Sequence, residues 1–476
     1  MTGPVPGARP ARRGVRRTGR GTARRTVRHG MRRTVRRTVL MLAVALALPA
    51  CTASPPTPAP SVTSPRVPGT GPPDTGGTSG PPASGPAPSV ADLPTLPWWG
   101  GPAYYAAFPK AVAAGWTAPS FFPIAVFYGR PSHSAQLAAV GINTFLGAEH
   151  EPAALADAEA AGVSIIAPLE WTAAEIGDSR AVVGWHVSDE CEMGLSDCTP
   201  DWTHDNGEQG RLAAQRRYVE NARGRHDGRF VQANFGAGVL GTFWAPTTMA
   251  DHVGLVDVTS VDEYAFTSPH VRELVAGSPY WPTGVPPGSA RAYGWMQDRM
   301  ELFATPPASK PNWVLVETAR PLLREADAVT IRPAQISGAV WNALIHGAAG
   351  VAYFQHNDDP RCGMYSLIEC GAQLRQAVAA IDREVTGLAP VLNSPSYEWT
   401  FGEGLDTALK HHDGYAYVLA MATAGGGQRT FRLPPGVVGT TVEVVGEHRT
   451  VPVRDGVFRD RFATADTHHV YRVAAR

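Results

Sequence analysis

Eight short runs rich in β-branched and aromatic residues, separated by helix-like stretches, limit what this chain can fold into. They are FFPIAVFY from Phe121, TFLGAE from Thr144, VSIIAPL from Val163, VVGWHVSDE from Val182, FVQANF from Phe230, VTSVDEYAF from Val258, NWVLVETA from Asn312 and GVAYFQH from Gly350. Segments such as SAQLAAVG, AALADAEAAG, GRLAAQRRYVENARG and RPAQISGAVWNALIHGAAG lie between them, so each strand but the last has its own helix before the next. Strand and helix in alternation argue for parallel pairing with crossover helices. Eight such units in about 260 residues match the size of a (β/α)8 TIM barrel. A doubly wound open sheet is the rival fold, but no Gly-rich dinucleotide loop follows the first strand.

After about residue 390 the texture changes to YEWTF, LKHHDGYAYVLAMAT, QRTFRL, TTVEVV, HRTVPV, GVFRDRF and HHVYRV, short alternating runs broken by Gly and Pro. These read as an antiparallel β-sandwich packed against the barrel. The expected organisation is an α/β chain, with a TIM barrel over residues 96–389 and a sandwich over 390–476.

The front of the chain reads as a targeting device. Arginines over residues 31–37 lead into VLMLAVALALPAC, too short to span a bilayer and the right length for the apolar part of a signal peptide. Residues Leu48 to Cys51, LPAC, resemble the lipobox of bacterial lipoproteins, which implies that Cys51 carries a lipid anchor. An ordinary secretory peptide with a chance cysteine is the alternative. Arg36 and Arg37 also partly resemble a twin-arginine export signal, and Met31 is a plausible start. The 1–51 leader is followed over 52–95 by a Pro, Ser, Thr and Gly-rich stretch with almost no large apolar residue, expected to be a tether, with folding starting at Leu96. The balanced charge of 42 basic and 42 acidic residues conceals an asymmetry, because all thirteen Arg up to Arg37 precede the first acid, Asp74. Without those thirteen, 29 basic residues face 42 acidic ones, a balance that disfavours nucleic acid as a partner.

Two glutamates, Glu190 and Glu317, close the fourth and seventh runs. At period two, Trp313, Leu315 and Glu317 share one face, as do His186, Ser188 and Glu190, so both carboxyls are expected above the barrel mouth. A carboxyl pair roughly 5 Å apart is what cleavage of a glycosidic bond with retention needs. Asp189 and Glu190 also suit capping of a following helix. A charge at the end of a buried strand, as at Glu317, needs a partner or a task.

On these residues the chain resembles a retaining glycoside hydrolase of clan A, over roughly residues 121 to 385. The resemblance implies that Glu190 is the acid/base, Glu317 the nucleophile, carbohydrate the substrate, and that no cofactor is required. Most members carry Asn directly before the acid/base where this chain has Asp189. A substrate-binding role is expected for Asp189, Asn234, Glu149 and His356, and for Tyr264, which ends the sixth run where the family often places a group that hydrogen-bonds the nucleophile. Asp262 and Glu263 lie at the same rim and read as substrate-positioning or solvated groups.

Beyond Cys51, the cysteines fall into close pairs, Cys191 with Cys198 and Cys362 with Cys370, which outside the cytoplasm suit disulfides at the active-site end. Zinc is the rival, but neither spacing matches the usual ligand pattern. Strand one also lacks the paired histidines of metal-dependent barrel hydrolases, so no metal is expected. The reading is an exported, lipid-anchored extracellular glycosidase. A carbohydrate-binding lipoprotein without catalysis and an envelope protein using the barrel as scaffold are the alternatives.

Overall fold

The computed structural model describes residues 89–476, apart from 197, 199–206, 242–245, 277 and 322–324. The leader, Met31, Cys51 and the linker as far as residue 88 lie outside the described residues. Each of the eight runs forms a strand: Ile124–Gly129, Thr144–Ala148, Ser164–Pro168, Val182–Asp189, Phe230–Phe235, Val258–Val261, Asn312–Glu317 and Gly350–Phe354. They pair in parallel and in chain order, and the first closes on the eighth with Ile124 opposite Val351. The chain is therefore a TIM barrel. A helix also follows the last strand, Ala372–Gly387, and it turns Val378, Ile381 and Val385 onto the barrel wall.

Period-two alternation divides the barrel into two apolar layers. Phe127, Leu146, Ile166, Phe230, Val258, Trp313, Leu315 and Ala352 fill its interior, while Val126, Phe145, Ile165, Val231, Val314, Val316 and Tyr353 face the helices. The N-terminal helices Gly101–Tyr105 and Pro109–Ala113 bring Tyr105 and Trp116 under the strand beginnings. There the Trp116 ring lies 6.1 Å from that of Trp313, and its Nε1 donates to Ser164 Oγ at 2.9 Å. The strand beginnings are sealed by aromatic surface, so polar groups collect at the opposite mouth.

The sandwich is present as expected. One antiparallel sheet runs in the order Thr95–Leu96, Ser396–Tyr397, Leu405–His412, Tyr415–Ala422, His468–Ala474, Thr441–Val444 and Arg449–Pro452, and Gly427–Arg432 pairs with Val457–Phe462 as a second. Phe401, Val418, Phe431, Val442, Phe458 and Tyr471 fill the space between them. Folding begins before Leu96, which corrects the linker boundary. Val90 is fully buried in the same apolar layer, its N–H donates to Arg476 O at 3.1 Å, and Thr95–Leu96 extends the sheet. The composition of the linker hides this because one apolar side chain and one backbone pairing suffice to dock its last residues. Among the described residues no helix is long and apolar enough to cross a membrane.

The other face of the large sheet packs on barrel helix Pro333–Ile345 through Ala408, Leu419, Met421 and Val470. A polar cluster pins this contact. Asp406 Oδ2 accepts from Asn342 Nδ2 at 3.0 Å, while His346 places Nε2 3.1 Å from Asp406 Oδ1 and Nδ1 2.8 Å from Asp298 Oδ1. With a carboxylate oxygen at each nitrogen, both must carry a proton to be satisfied, so the ring is an imidazolium. Burial opposes that charge, but Asp406 and Asp298 outweigh it and hold His346 well above the usual 6.5. Burial likewise pushes Asp406 up, yet His346 brings it down to about 2. The raised histidine contributes stability in full below 6.5 and loses it as pH climbs through its folded value; the depressed aspartate contributes above 3.8 and fails only as pH falls towards about 2. Replacing His346→Gln should therefore cost about 2–4 kcal/mol of unfolding free energy at pH 5.5. Denaturant titration should show a smaller loss at pH 10, and an equal loss at both would mean the ring is neutral.

Candidate active site

Strand four does not present the face that strict alternation assigns it. Its register with strand five slips between His186 and Ser188, so Asp189 stands opposite Asn234 and Ser188 opposite Ala233. A bulge of this kind reverses which side chains face inward. Asp189, rather than Ser188, turns to the interior, where Asn234 Nδ2 donates to its Oδ1 at 2.9 Å. Glu190 then leaves the strand in the left-handed region, φ 48° and ψ 45°, with its N–H donating to Asn234 O at 3.0 Å. A non-glycine residue held there costs roughly 1–3 kcal/mol, and such strain concentrates at functional positions. Glu190 heads the short turn Cys191–Met193, and its side chain makes no capping bond there. The Cys191–Cys198 disulfide closes the loop that follows, and Cys362–Cys370 closes one after strand eight, with Cα separations of 5.2 and 5.0 Å.

The Glu190 carboxyl lies over Gly236, where any Cβ would come within 2.5 Å of Glu190 Cδ and Oε1. Gly236 N–H donates to Glu192 Oε1 at 2.6 Å. Burial, then Asp262, Asp189, Glu263 and Glu192 in that order, push Glu190 well above the ordinary carboxyl range. Burial also carries Glu192 up to about 8. These neighbours and the burial favour the protonated form of Glu190.

Strand six ends at Val261, earlier than its sequence suggests, and Asp262 to Ser268 form a turn. Tyr264 consequently lies in the turn rather than at the strand end, with Thr267 N–H and Ser268 N–H donating to its carbonyl. Its hydroxyl donates to Asp262 Oδ2 at 2.9 Å, so it serves the acid cluster and not Glu317. Asp262 and Glu263 are buried, which corrects their reading as solvated groups. Desolvation raises both, followed by Asp189 for Asp262 and by Asp262 for Glu263. The far end of the same turn reaches strand seven, where Thr267 Oγ1 donates to Glu317 Oε1 at 3.0 Å. Tyr293, from helix Ala290–Phe303, donates its hydroxyl to Glu317 Oε2 at 2.7 Å. Glu317 is 0% exposed; burial pushes it up to about 7 against these two donors.

A directional hydrogen-bond chain crosses strands four, five and six. His186 Nδ1 meets Gln232 Oε1 at 2.6 Å, Gln232 Nε2 donates to Ser260 Oγ at 2.9 Å, and Ser260 Oγ donates to Asn234 Oδ1 at 2.6 Å. Asn234 then donates to Asp189, as above. Since an amide oxygen only accepts, His186 carries its proton on Nδ1. Asn234, expected to bind substrate, thus has both ends of its amide engaged in the protein. Glu149, expected likewise, accepts the Tyr365 hydroxyl and lies 3.8 Å from Arg130 Nε, tying the loop after strand two to the loop after strand eight. His356 sits at the mouth with Nε2 donating to Tyr128 O at 3.0 Å, and burial holds it neutral. Sequence reasoning missed Tyr293 and Thr267, and no local pattern marks either. Tyr128 at the end of strand one, φ 45°, was also unmarked. Among the described residues no group of three or more His, Cys, Asp or Glu is arranged to hold a metal.

No family model and no curated protein matches the sequence. Among solved structures the chain is similar to one described as a glycoside hydrolase, at 10% identity over 75% of this chain and 93% of that one, with a TM-score of 0.49. It is similar to the alpha-amylase of Geobacillus thermoleovorans complexed with acarbose, at 9% identity over 73% and 91%, TM-score 0.41. It is also similar to the beta-galactosidase of the psychrophilic Marinomonas ef1, at 14% identity over 56% and 60%, TM-score 0.40.

The mouth thus holds two environments joined by one turn: an acid cluster around Glu190 and a separately hydrogen-bonded carboxyl, Glu317. Carboxyls raised by burial favour the folded state while protonated, so stability is full below 4.5 and declines as pH rises through their folded values, about 7 for Glu317 and about 8 for Glu192. Glu263→Gln should lift the thermal midpoint by several degrees at pH 8 and by less at pH 5 in scanning calorimetry. A shift independent of pH would show that Glu263 is ionised throughout.

Proposed function

We propose that the chain is a retaining glycoside hydrolase acting on oligo- or polysaccharide at the C-terminal mouth of the barrel. The observation that carries this reading is the turn from Asp262 to Ser268, which contacts the acid cluster of Glu190 through Asp262 and Tyr264 and touches Glu317 through Thr267. In the first step the ionised Glu317 forms a bond to the anomeric carbon as the glycosidic C–O bond breaks. The departing oxygen keeps the electron pair and takes the Glu190 proton. In the second, Glu190 as carboxylate removes a proton from water, which attacks the glycosyl ester and releases Glu317.

Working activity needs Glu317 ionised and Glu190 protonated. Therefore kcat/KM should rise through an acid limb near pH 7, the value to which burial brings Glu317, and fall at higher pH where Glu190 loses its proton. Glu317→Gln should abolish release from aryl glycosides with folding retained. Glu190→Ala should lose about 10²–10⁴-fold on poor leaving groups, and azide should rescue it to give a glycosyl azide of retained configuration. Unchanged turnover by Glu317→Gln sinks the assignment.

A second reading, carbohydrate binding without catalysis, has one observation in its favour: Glu317 has no exposed surface and both its oxygens are engaged. Polysaccharide binding without release of reducing ends would mark it. Export and lipid anchoring through Cys51 form the remaining part of the proposal, supported by LPAC at Leu48 to Cys51 and the apolar run before it. Cys51→Ala should move the full chain from the membrane fraction to the soluble fraction on cell fractionation, and an unchanged distribution would reject the anchor.

A further inference from the structure

We propose that the chain acts at glycan ends, taking the terminal sugar at the non-reducing end, because a wall of interlinked loops stands on the side of the mouth away from Glu190. This names a substrate class for the hydrolase reading above and rests on that reading. In the closed order of the barrel, strands eight, one and two stand across the mouth from strands four, five and six. Glu190 and the turn that begins at Asp262 follow strands of the second group, and Glu317 ends strand seven, between the two groups.

The loops after strands eight, one and two are fastened to one another. Tyr365, after strand eight, donates its hydroxyl to Glu149 Oε1, after strand two. Arg130, after strand one, lies 3.8 Å from Glu149 Oε2 and donates its Nε–H to Glu151 Oε1 at 2.7 Å. Glu151 Oε2 also accepts the Ser132 N–H at 3.1 Å. His356 donates from Nε2 to Tyr128 O at 3.0 Å, and its backbone pairs antiparallel with that of Tyr365. The rings of His133 and His356 stand edge-on to Tyr365, at 5.2 and 5.9 Å. Tyr365 is also held from behind. Its N–H donates to Glu369 Oε2 at 2.9 Å, the Cys362–Cys370 disulfide closes its loop, and Asn357 Nδ2 donates to Asp359 O at 2.9 Å and to Gly363 O at 3.1 Å. Such ties leave the loop little freedom to fold back.

The wall stands at the height that matters to a substrate. Phe354 lies opposite Glu317 in the register of strands seven and eight, so His356 is two residues, about 7 Å of strand, beyond the level of that carboxyl. Tyr365 pairs with it there. A sugar whose anomeric carbon meets Glu317 has its departing oxygen at Glu190, so the leaving part of the chain lies towards strands four to six. The remainder of the transferred sugar points the other way, and a further unit linked to it would run into Tyr365 and Glu149. Arg130 and Glu149 remain 42% and 36% exposed, so the crest of the wall offers charged groups that hydrogen-bond the hydroxyls of a terminal sugar.

The test titrates the full chain carrying Glu317→Gln, which leaves ligands intact, with cello-, xylo-, manno- and maltopentaose by calorimetry. Each pentaose is used free and with a benzyl ether on the 4-hydroxyl of its terminal non-reducing sugar. A pentaose that binds should lose about tenfold or more in affinity when capped, since the cap meets the wall. Equal affinity for the two forms would overturn the proposal. Adding Tyr365→Ala should bring the two affinities together, whereas Tyr365→Phe, which keeps the ring, should preserve most of the difference. A difference untouched by Tyr365→Ala would place the block elsewhere and reject the wall. With the wild-type chain, a pentaose labelled at its reducing end should shorten one unit at a time. Labelled di- and trisaccharide in the first turnovers would mean internal cleavage, which overturns the proposal and leaves the hydrolase reading standing. Discrimination against the cap without turnover of any glycoside would do the reverse, and no binding by any pentaose would overturn both.

Discussion

The burial of several carboxyl groups at one barrel mouth is the constraint on which the rest of this structure turns. An isolated carboxylate taken out of water loses far more solvation than a typical domain has stability to give, so each acid must be protonated, partnered or both. Asp189 is met by the amide of Asn234 at the end of a chain that starts on the His186 ring. Glu192 takes the Gly236 N–H and Glu317 takes two hydroxyls. Such groups cannot be satisfied by mobile loops alone. They rely on the strands, whose spacing is set by the apolar layers beneath and around them.

That spacing is defended at a distance from the mouth. Trp116 and Tyr105 close the opposite end against Trp313, two residues below Leu315 and four below Glu317 on the same inward face. On the outside, helix Ala290–Phe303 carries Tyr293 to Glu317 and also carries Asp298 to His346. One helix therefore connects the hydroxyl that orients Glu317 with the imidazolium that fastens the sandwich through Asp406. The sandwich has no group at the mouth described above, yet it steadies the helix that does. In this sense the appended sheets form part of the frame that holds Glu317.

The barrel was legible in the sequence because eight β-rich runs separated by helical stretches admit few closed arrangements, and the two disulfides were legible because close cysteine pairs have few other uses outside the cytoplasm. What the sequence hid follows from local departures. The bulge between His186 and Ser188 turns Asp189 inward, and nothing in VVGWHVSDE announces a slip of one residue. The run VTSVDEYAF looks like nine strand residues, but the backbone leaves the sheet after Val261, so its two acids and its tyrosine form a turn. Tyr293 is 24 residues from Glu317 on an amphipathic helix, where an aromatic side chain reads as packing until its hydroxyl is seen to reach the carboxylate. The docking of Val90 was hidden in a Pro and Gly-rich stretch for the same reason, since composition averages over a residue that packs alone.

Two carboxyls at one barrel mouth acquire different chemistry only if their environments differ in kind, and here they do. Glu190 is surrounded by further acids, which with its burial raise it well above the ordinary carboxyl range and favour its protonated form. Glu317 is buried more deeply, but its neighbours are hydroxyl donors, which favour the ionised form and bring it back to about 7. Burial alone would leave both groups neutral and neither able to attack. The contrast arises because Thr267 and Tyr293 reach one carboxyl while Asp262 reaches the other, and the turn after strand six supplies Thr267 to one side and Asp262 to the other. A connection of seven residues, Asp262 to Ser268, thereby sets an acid against one carboxyl and a hydroxyl donor against the other.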